Sequence, residues 1–354
     1  MTRSRQEQIH LDSTPFYHCY VRCVRRAFLC GTDHVSGQNF DHRKQWLVSR
    51  LRFLSYIYAI DICAYAVMSN HYHVILHVDK KRAAAWSHEE IAARWTQLYS
   101  APFLVEKWLK NPADCDKTEL DVVVKIIEQW RTRLHDIGWF MRGINEVIAR
   151  MANEEDKTKG RFWEGRYKSQ ALLDEIAVLS CMAYVDLNPV RAGICADTIT
   201  SDFTSIQQRL FNYAQQAPQH TAAEQQLIRQ IEAQIKIKEE LKLHELPEAP
   251  LMPLDGASAT DIHTALPFTQ EDYFTLVDAT GRCLRDDKKG AIPAHLAPIL
   301  QRLGIQPKQW LHQIRHFGRS YGSSAGSVNH ILAFAGKFKR KWGKGVGAAK
   351  RAYC

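Results

Sequence analysis

The stretch IDICAYAVMSNHYHVILHV, residues 60–78, consists of two apolar runs separated by Ser69 and Asn70. The first run, residues 60–68, predicts a buried strand, and residues 72–78 predict the strand that returns beside it. A Ser-Asn pair between two such runs is typical of a tight hairpin turn. The stretch therefore predicts a hairpin whose second strand is central to the fold.

The segments on either side of the hairpin predict the rest of the fold. Alternating residues 16–28 predict a strand, and apolar residues at helical spacing predict a helix over 41–58 with Asp41 as its cap. The later elements are predicted helices at about 87–99, 119–134, 139–152 and 174–188 and an extended segment at 162–173. This order predicts an α+β fold with a ferredoxin-like (RRM-like) antiparallel sheet and helices on one side.

The chain divides into three predicted regions. Residues 1–205 form the first domain, with an insertion at about 101–137, and residues 206–262 form a helical segment and a proline-rich linker. Residues 263–354 form a basic, mostly helical accessory region. A predicted helix over 221–244 carries a narrow apolar stripe, which can pack on its own domain or form a dimer contact. Both a monomer and a homodimer fit this pattern.

Charge is distributed unevenly along the 354 residues. The formal net charge of +9 comes from 47 Lys and Arg against 38 Asp and Glu. No acidic residue follows Asp287, and the last 67 residues contain 13 Lys and Arg; the preceding 287 residues carry 34 basic and 38 acidic side chains, a net of −4. The basic character therefore belongs to the C-terminal region and predicts a polyanionic partner such as nucleic acid.

Composition and cysteine spacing exclude several classes of protein. With 45% hydrophobic and 24% charged residues, the chain is neither disordered nor collagen-like. Nine cysteines without a CxxC pair favour a reduced, cytoplasmic protein over a disulfide scaffold or a zinc ribbon. The first 16 residues lack the apolar core of a signal peptide, and the most apolar window, residues 56–68, is too short to span a bilayer. We therefore expect no membrane partner.

The second hairpin strand carries histidines at alternating positions. His71 and His73 share one face of the strand, and His77 lies farther along the same face. The opposite face carries the core residues Tyr72, Val74, Leu76 and Val78. Two imidazoles on one rigid face suit a divalent metal ion. Surface or hydrogen-bonded histidines are the alternative interpretation of the same pattern.

A second candidate pair lies at the end of the predicted helix 174–188. Tyr184 and Asn188 are four residues apart and therefore share a helical face, just before Pro189. A phenol can attack phosphorus, and an amide oxygen can bind a metal ion. The alternative is a packed aromatic side chain followed by a residue that ends the helix.

Three stretches together resemble the REP-associated tyrosine transposases of the HUH single-tyrosine superfamily. They are YAVMSNHYHVILHV (65–78), GRFWEGRYKSQALLDE (160–175) and AYVDLNPVRAG (183–193). The resemblance covers roughly residues 10–205. Within these residues, the segment at about 101–137 is longer than in short members of the family.

Two further features bear on this resemblance. Residues 276–293, LVDATGRCLRDDKKGAIP, resemble the C-terminal extension of longer family members. The middle residue of the HUH motif, usually a bulky aliphatic, is Tyr72 in this chain.

The resemblance implies a fold of the HUH endonuclease type and a specific chemistry. His71 and His73 would hold Mg²⁺ or Mn²⁺, with Asn188 as the third ligand, and Tyr184 would attack single-stranded DNA to form a 5′-phosphotyrosine bond. The enzyme would be a transposase that nicks and transfers strands of REP-like palindromic hairpin DNA without a nucleotide cofactor.

Basic and aromatic residues supply the predicted DNA contacts. Those in the first domain are Arg22, Arg25, Arg161, Arg166, Tyr167, Lys168 and Arg191, and those in the tail are Lys337, Lys339, Arg340, Lys341 and Trp342. Solvated surface charge is the alternative interpretation for each. Two other functions also fit the sequence: a domesticated, non-catalytic DNA-binding protein on the same fold, and a metal nuclease that uses water while Tyr184 is structural.

Overall fold

The computed structural model describes residues 8–24, 29–32, 37–216, 218–256, 264–284 and 298–353. Its strands are β1 (Phe16–Arg22), β2 (Ile60–Val67), β3 (His71–Val78), β4 (Lys168–Leu172) and β5 (Ser324–Ala325). They form one sheet in the order β2-β3-β1-β4-β5. The predicted hairpin is confirmed as the antiparallel pair β2–β3.

Helices account for most of the remaining described residues. In the first 200 residues they are α1 (His42–Ile57), α2 (Lys80–Ala85), α3 (His88–Thr96), α4 (Phe103–Lys110), α5 (Lys117–Arg133), α6 (Ile137–Glu155), α7 (Glu175–Asp186) and α8 (Asn188–Arg191). The later helices are α9 (Ser205–Ala214), α10 (Ala222–Glu240), α11 (Gln270–Leu284), α12 (Pro298–Arg302), α13 (Pro307–Ser320), α14 (Val328–Lys337) and α15 (Val346–Ala352). Within the described ranges, no helix is both long enough and apolar enough to cross a membrane.

The α+β class is confirmed, but the sheet is mixed rather than antiparallel. Strand β1 pairs antiparallel with β3 and with β4, as predicted. Strand β5, from the C-terminal region, lies parallel to β4. The sequence prediction missed this strand because two residues, Ser324 and Ala325, carry no detectable alternation.

Helices cover both faces of the sheet, so the prediction of helices on one side is wrong. On one face, Val74 of β3 belongs to a core that also contains residues of α1 and α6. On the other face, Ile75 belongs to a second core that contains residues of α7. Burial of both Val74 and Ile75 requires a helical layer on each side of β3.

The predicted insertion at 101–137 contributes buried residues to the first core, among them Val105 and Ile127. Trp130 of α5 stacks on Trp95 of α3, with ring centroids 5.4 Å apart. Asp116 and Glu119 form a reciprocal capping box that begins α5. The insertion therefore adds helices to the layer that lies away from α7.

The C-terminal region shares the second core with the first domain. Trp310 of α13 and Leu276 of α11 are fully buried in the same cluster as Met182 of α7. The proline-rich segment is also packed, because the Met252 amide donates to the Ile62 carbonyl at 2.9 Å, beside the edge strand β2. The predicted boundary near residue 263 therefore does not divide the hydrophobic core.

Helix α10 packs on its own chain. Its predicted capping box, Thr221 with Glu224, is present. Leu227 and Ile231 are buried with Phe211 of α9 in a small separate cluster. The apolar stripe seen in the sequence is therefore largely covered within the described chain. By contrast, Asp41 makes no side-chain cap on α1 and pairs with Lys44 instead.

Candidate active site

Strands β1 and β3 place a row of polar side chains on the face of the sheet that α7 covers. In their antiparallel register, His73 lies opposite Tyr20 and His71 lies opposite Arg22. His18 lies two residues before Tyr20, so its side chain shares that face. The His18 and His73 rings stack with centroids 5.0 Å apart.

A chain of hydrogen bonds fixes which nitrogen of His73 is free. The Gln170 Nε2 donates to the Gly322 carbonyl at 2.8 Å, which turns the Gln170 Oε1 toward His18 Nδ1 at 3.4 Å. His18 Nδ1 must then carry the proton, so its Nε2 accepts from His73 Nδ1 at 2.8 Å. The remaining lone pair on His73 lies on Nε2, which is the nitrogen that can bind a metal ion.

His71 is oriented in a similar way. Its Nδ1 lies 2.7 Å from the Asn70 Oδ1, an acceptor, so Nδ1 carries the proton and Nε2 carries the lone pair. The turn residue Asn70, which the sequence identified only as a turn former, therefore also orients this imidazole.

The three imidazoles are held in the neutral form that a metal ligand requires. Burial lowers the pKa of His18 to about 4. Burial and the nearby Arg22 charge lower the pKa of His71 to about 4. Burial, reinforced by His18 and His71, holds the pKa of His73 well below its usual value. Near neutral pH the two motif histidines are therefore unprotonated.

Helix α7 brings Tyr184 to these histidines across 111 residues of sequence. The Tyr184 ring lies edge-on to the His73 ring, with centroids 5.8 Å apart. The Arg191 guanidinium lies 4.6 Å from the centroid of the Tyr184 ring, and Phe317 of α13 packs 5.4 Å away. These neighbours hold the ring while Tyr184 remains partly exposed.

His71, His73 and Tyr184 line a single cleft with a volume of about 1070 Å³. Five of the predicted DNA contacts also line it: Arg22, Arg166, Tyr167, Lys168 and Arg191. The remaining lining residues were not among the predicted site residues; they are Gln8, His18, Tyr20, Val21, Glu164, Gly165, Gln170, Arg315, His316, Gly318, Arg319, Tyr321 and Gly322. For His18 and Tyr20, the strand alternation of residues 16–28 was a signal that could have placed them beside the motif histidines.

Asn188 is not among the residues that line this cleft. It begins α8 and is 9% exposed, and α7 ends two residues earlier at Asp186. Pro189 lacks an amide hydrogen, so the helix does not continue regularly and the four-residue spacing from Tyr184 no longer guarantees a common face. Asn188 as a metal ligand stays a prediction.

The donor set of the cleft fits a divalent ion in part. The Nε2 atoms of His71 and His73 each carry a free lone pair on a neutral ring. Glu164 is the acidic residue among those lining the cleft. Within the described ranges, no group of three or more His, Cys, Asp or Glu side chains is placed to hold a metal ion. The chain therefore offers two imidazoles, which would leave the other positions of a bound Mg²⁺ or Mn²⁺ to water and phosphate oxygens.

The other predicted DNA contacts that the structure describes lie outside the main cleft. Arg161 is exposed before β4, and Arg25 lies outside the described residues. The tail residues Lys337, Lys339 and Lys341 are exposed. Arg340 and Trp342, the latter 63% exposed, line a smaller cavity of about 290 Å³ that shares Gly322 with the main cleft.

Two residues close to the motifs in sequence have structural roles. Tyr72 is buried on the opposite face of β3 and donates to the Asn145 Oδ1 at 2.8 Å, so it is not a second tyrosine of the cleft. Asp186 accepts hydrogen bonds from Ser205 and from the Tyr273 hydroxyl, the latter at 2.6 Å. Burial raises the pKa of Asp186 to about 6.

Comparison with known proteins finds one distant structural relative. A solved structure of a REP-associated tyrosine transposase bound to a REP hairpin aligns with 59% of this chain and 86% of its own chain, at 12% identity and a TM-score of 0.35. No protein-family model and no curated protein matches the sequence. At this distance the likeness carries no functional argument, so function must be argued from the cleft.

Proposed function

We propose that this protein is a metal-dependent enzyme that nicks and rejoins single-stranded DNA through a covalent bond to Tyr184. The observation that carries the proposal is the meeting of Tyr184 and His73, with ring centroids 5.8 Å apart in one basic cleft. Neither motif is decisive alone. A phenol that can attack phosphorus, beside two neutral and oriented imidazoles, suits metal-assisted phosphoryl transfer to tyrosine.

The fold supports the same proposal. The order β2-β3-β1-β4, with antiparallel neighbours, is the order expected for a ferredoxin-like sheet of the HUH endonuclease type. It places the His-bearing strand beside β1 in the interior of the sheet, where the histidine positions are rigid.

The proposed reaction exchanges one phosphodiester for another. The Tyr184 Oη attacks phosphorus and loses its proton to solvent, while the bond from phosphorus to the 3′ oxygen breaks and that oxygen leaves as a 3′-hydroxyl after protonation. A bound Mg²⁺ or Mn²⁺ would polarise the phosphate oxygens and stabilise the developing charge. Arg191, beside the tyrosine ring, is placed to bind the phosphate. The reverse attack by a 3′-hydroxyl joins DNA without ATP.

The proposed substrate is hairpin DNA with a single-stranded flank, of the REP-like palindromic kind. The cleft is open and basic, and Tyr20 and Tyr167 line it together with cationic residues. Aromatic rings beside positive charge suit unpaired bases and their phosphates.

The test is adduct formation with a hairpin oligonucleotide labelled at its 3′ end, incubated with the protein and Mg²⁺ or Mn²⁺ and resolved on a denaturing gel. We expect labelled protein with the wild type and none with Tyr184→Phe, because phenylalanine keeps the ring and removes the nucleophile. Tyr213→Phe, an exposed tyrosine on α9 that lies outside the cleft, is the matched control and should retain the adduct.

Each contrary outcome points to a different function. Free cleaved DNA at wild-type rate with Tyr184→Phe would indicate the water-using nuclease. Binding without cleavage by the wild type would indicate the non-catalytic protein. Loss of the adduct with Tyr20→Phe, combined with its retention in Tyr184→Phe, would move the nucleophile to Tyr20, another tyrosine of the cleft.

A further inference from the structure

Helix α13 forms a wall of the cleft that holds Tyr184. Arg315, His316, Gly318 and Arg319 all line it, together with the motif histidines. Sequence analysis assigned these residues only to a basic accessory region. The tertiary structure instead places them beside the proposed nucleophile.

The helix is firmly attached to the first domain. Its buried Gln313 Nε2 donates to the Ser180 Oγ of α7 at 2.7 Å, and its Trp310 Nε1 donates to the Thr280 Oγ1 of α11 at 2.8 Å. The Arg191 Nη2 of α8 also donates to the Arg315 carbonyl at 3.3 Å. Groups on the open face of α13 therefore have a fixed position relative to Tyr184.

The space around Gly318 shows how closely α13 approaches the proposed nucleophile, Tyr184. A Cβ atom at this position would lie 2.6 Å from the Tyr184 Oη, closer than non-bonded carbon and oxygen atoms can approach. Glycine within a helix is unfavourable by about 1 kcal/mol relative to alanine. At this position, however, any side chain would displace the Tyr184 hydroxyl. Arg315 and Arg319 lie three residues before and one residue after Gly318, so both are on the part of α13 that approaches the reacting oxygen.

Positive charge predominates in the lining of the cleft. Its lining includes six cationic side chains, and none of them forms an ion pair with a carboxylate of a described residue. These six are Arg22, Arg166, Lys168, Arg191, Arg315 and Arg319. Glu164 is the acidic residue in that lining. A concave surface with this excess of positive charge attracts a polyanion.

We infer that α13 is a phosphate-binding helix of the active site, on which Arg315 and Arg319 bind the DNA backbone next to the phosphate that Tyr184 attacks. The two arginines are exposed and lie one helical turn apart on one face. Guanidinium groups form paired hydrogen bonds to phosphate oxygens. This inference rests on the proposed function for the identity of the strand, and it adds that the C-terminal region completes the site.

Binding measurements in a Tyr184→Phe background test the inference without requiring cleavage. We expect Arg315→Gln/Arg319→Gln to raise the Kd for a fluorescent hairpin with a single-stranded flank about tenfold, equivalent to about 1.4 kcal/mol. The slope of log Kd against log salt should fall by about 1.4, since each phosphate contact on a single strand contributes about 0.7. Fluorescence anisotropy at several salt concentrations measures both quantities.

The matched control changes two charges that lie outside the cleft. Lys308 is an exposed residue on the same helix and Lys350 is an exposed residue on α15. If Lys308→Gln/Lys350→Gln lowers affinity and salt slope as much as the arginine pair does, the effect is general electrostatics and the inference is wrong. Equal melting temperatures of the two double variants show that the comparison concerns folded proteins.

Gly318→Ala tests the close approach to Tyr184 in the otherwise wild-type chain. We expect the rate of adduct formation per folded molecule to fall about tenfold or more, because the added methyl group displaces the Tyr184 hydroxyl, while circular dichroism shows an intact fold. Gly336→Ala in α14, where an added Cβ meets no atom within 4 Å, is the control. Equal rates for the two variants would contradict the close approach.

These outcomes separate the inference from the proposed function. Arginine-dependent binding together with the absence of any wild-type adduct would reject the nicking reaction and keep α13 as a DNA-binding wall. A wild-type adduct together with unchanged binding by the arginine variant would keep the reaction and reject the role of α13.

Discussion

The two ends of strand β3 carry histidines on the same face but in opposite environments. At its beginning, His73 is buried beneath the cleft and its Nδ1 hydrogen-bonds to His18 Nε2 at 2.8 Å. At its far end, His77 is fully buried, packs 4.9 Å from the Phe16 ring, and pairs with Asp61 at 3.1 Å, a carboxylate that Arg82 also binds. One sequence pattern therefore gives two histidines that line a cleft and one buried histidine that binds a carboxylate. The partners of each ring, rather than the spacing, determine which role it has.

The largest expected difference is between the two histidines themselves. His73→Ala should lower adduct formation about 100-fold or more, because a metal ion worth several kcal/mol in the transition state loses a ligand. His77→Ala should retain the adduct, measured per folded molecule after circular dichroism, and should lower the melting temperature instead. If a fully folded His77→Ala variant lost adduct formation, the different roles given to His73 and His77 would be wrong.

A smaller effect is expected from the hydrogen-bond chain behind His73. Gln170→Met keeps the size of the side chain but removes the acceptor that holds the proton on His18 Nδ1. His18 Nε2 is then no longer bound to accept from His73 Nδ1, and the free lone pair of His73 is no longer restricted to Nε2. Metal affinity should fall about tenfold, in the range typical for groups that orient ligands. Titration of Mn²⁺ into the Tyr184→Phe protein measures it. Gln208→Met, at an exposed glutamine of α9, should change nothing.

The smallest expected effect concerns stability at the far end. Burial raises the pKa of Asp61, but the bond to His77 and the Arg82 charge outweigh it and hold the pKa below 3.8. The folded state therefore binds that proton less tightly than the unfolded state, so the stabilisation is complete above about pH 5 and is lost as the pH falls through the folded-state value.

Urea unfolding between pH 2.5 and 7 checks this expectation. Asp61→Asn should cost about 1.5 kcal/mol near neutral pH, and the cost should shrink in acid while adduct formation near neutral pH stays intact. Glu146→Gln removes an exposed helical ion pair with Arg142 and should cost much less at every pH. A cost for Asp61→Asn that does not depend on pH would contradict the assignment.

Much of the fold could be predicted because its signals are local. The hairpin at residues 60–78 pairs residues at most 18 positions apart, and the Asp174 cap of α7 and the Thr221 capping box each join residues three positions apart. Strand β5 and the second helical layer could not be predicted, because they depend on contacts between residues more than 100 positions apart, such as Ala171 with Ser324.

The candidate site divides in the same way. The alternation of His71 and His73 was visible in the sequence, and so was Tyr184 on its helix. Their partner His18 and the wall formed by α13 lie outside the motif stretches, and Gln170 lies within residues 160–175 but had no role assigned to it. Their roles arise only from the register of β1 against β3 and from the packing of α13 on α7.

Residue types and their spacing show which side chains can do chemistry, because each imidazole, phenol or guanidinium group belongs to its residue and strand or helix periodicity sets its face. The folded arrangement of the chain, in contrast, sets which of these side chains meet. It gave His73 a hydrogen-bonded orientation and His77 a carboxylate, left Asn188 outside the cleft lining, and brought the basic C-terminal helix against Tyr184. The physical reason is that pKa, orientation and proximity depend on burial and on partners that are distant in the chain.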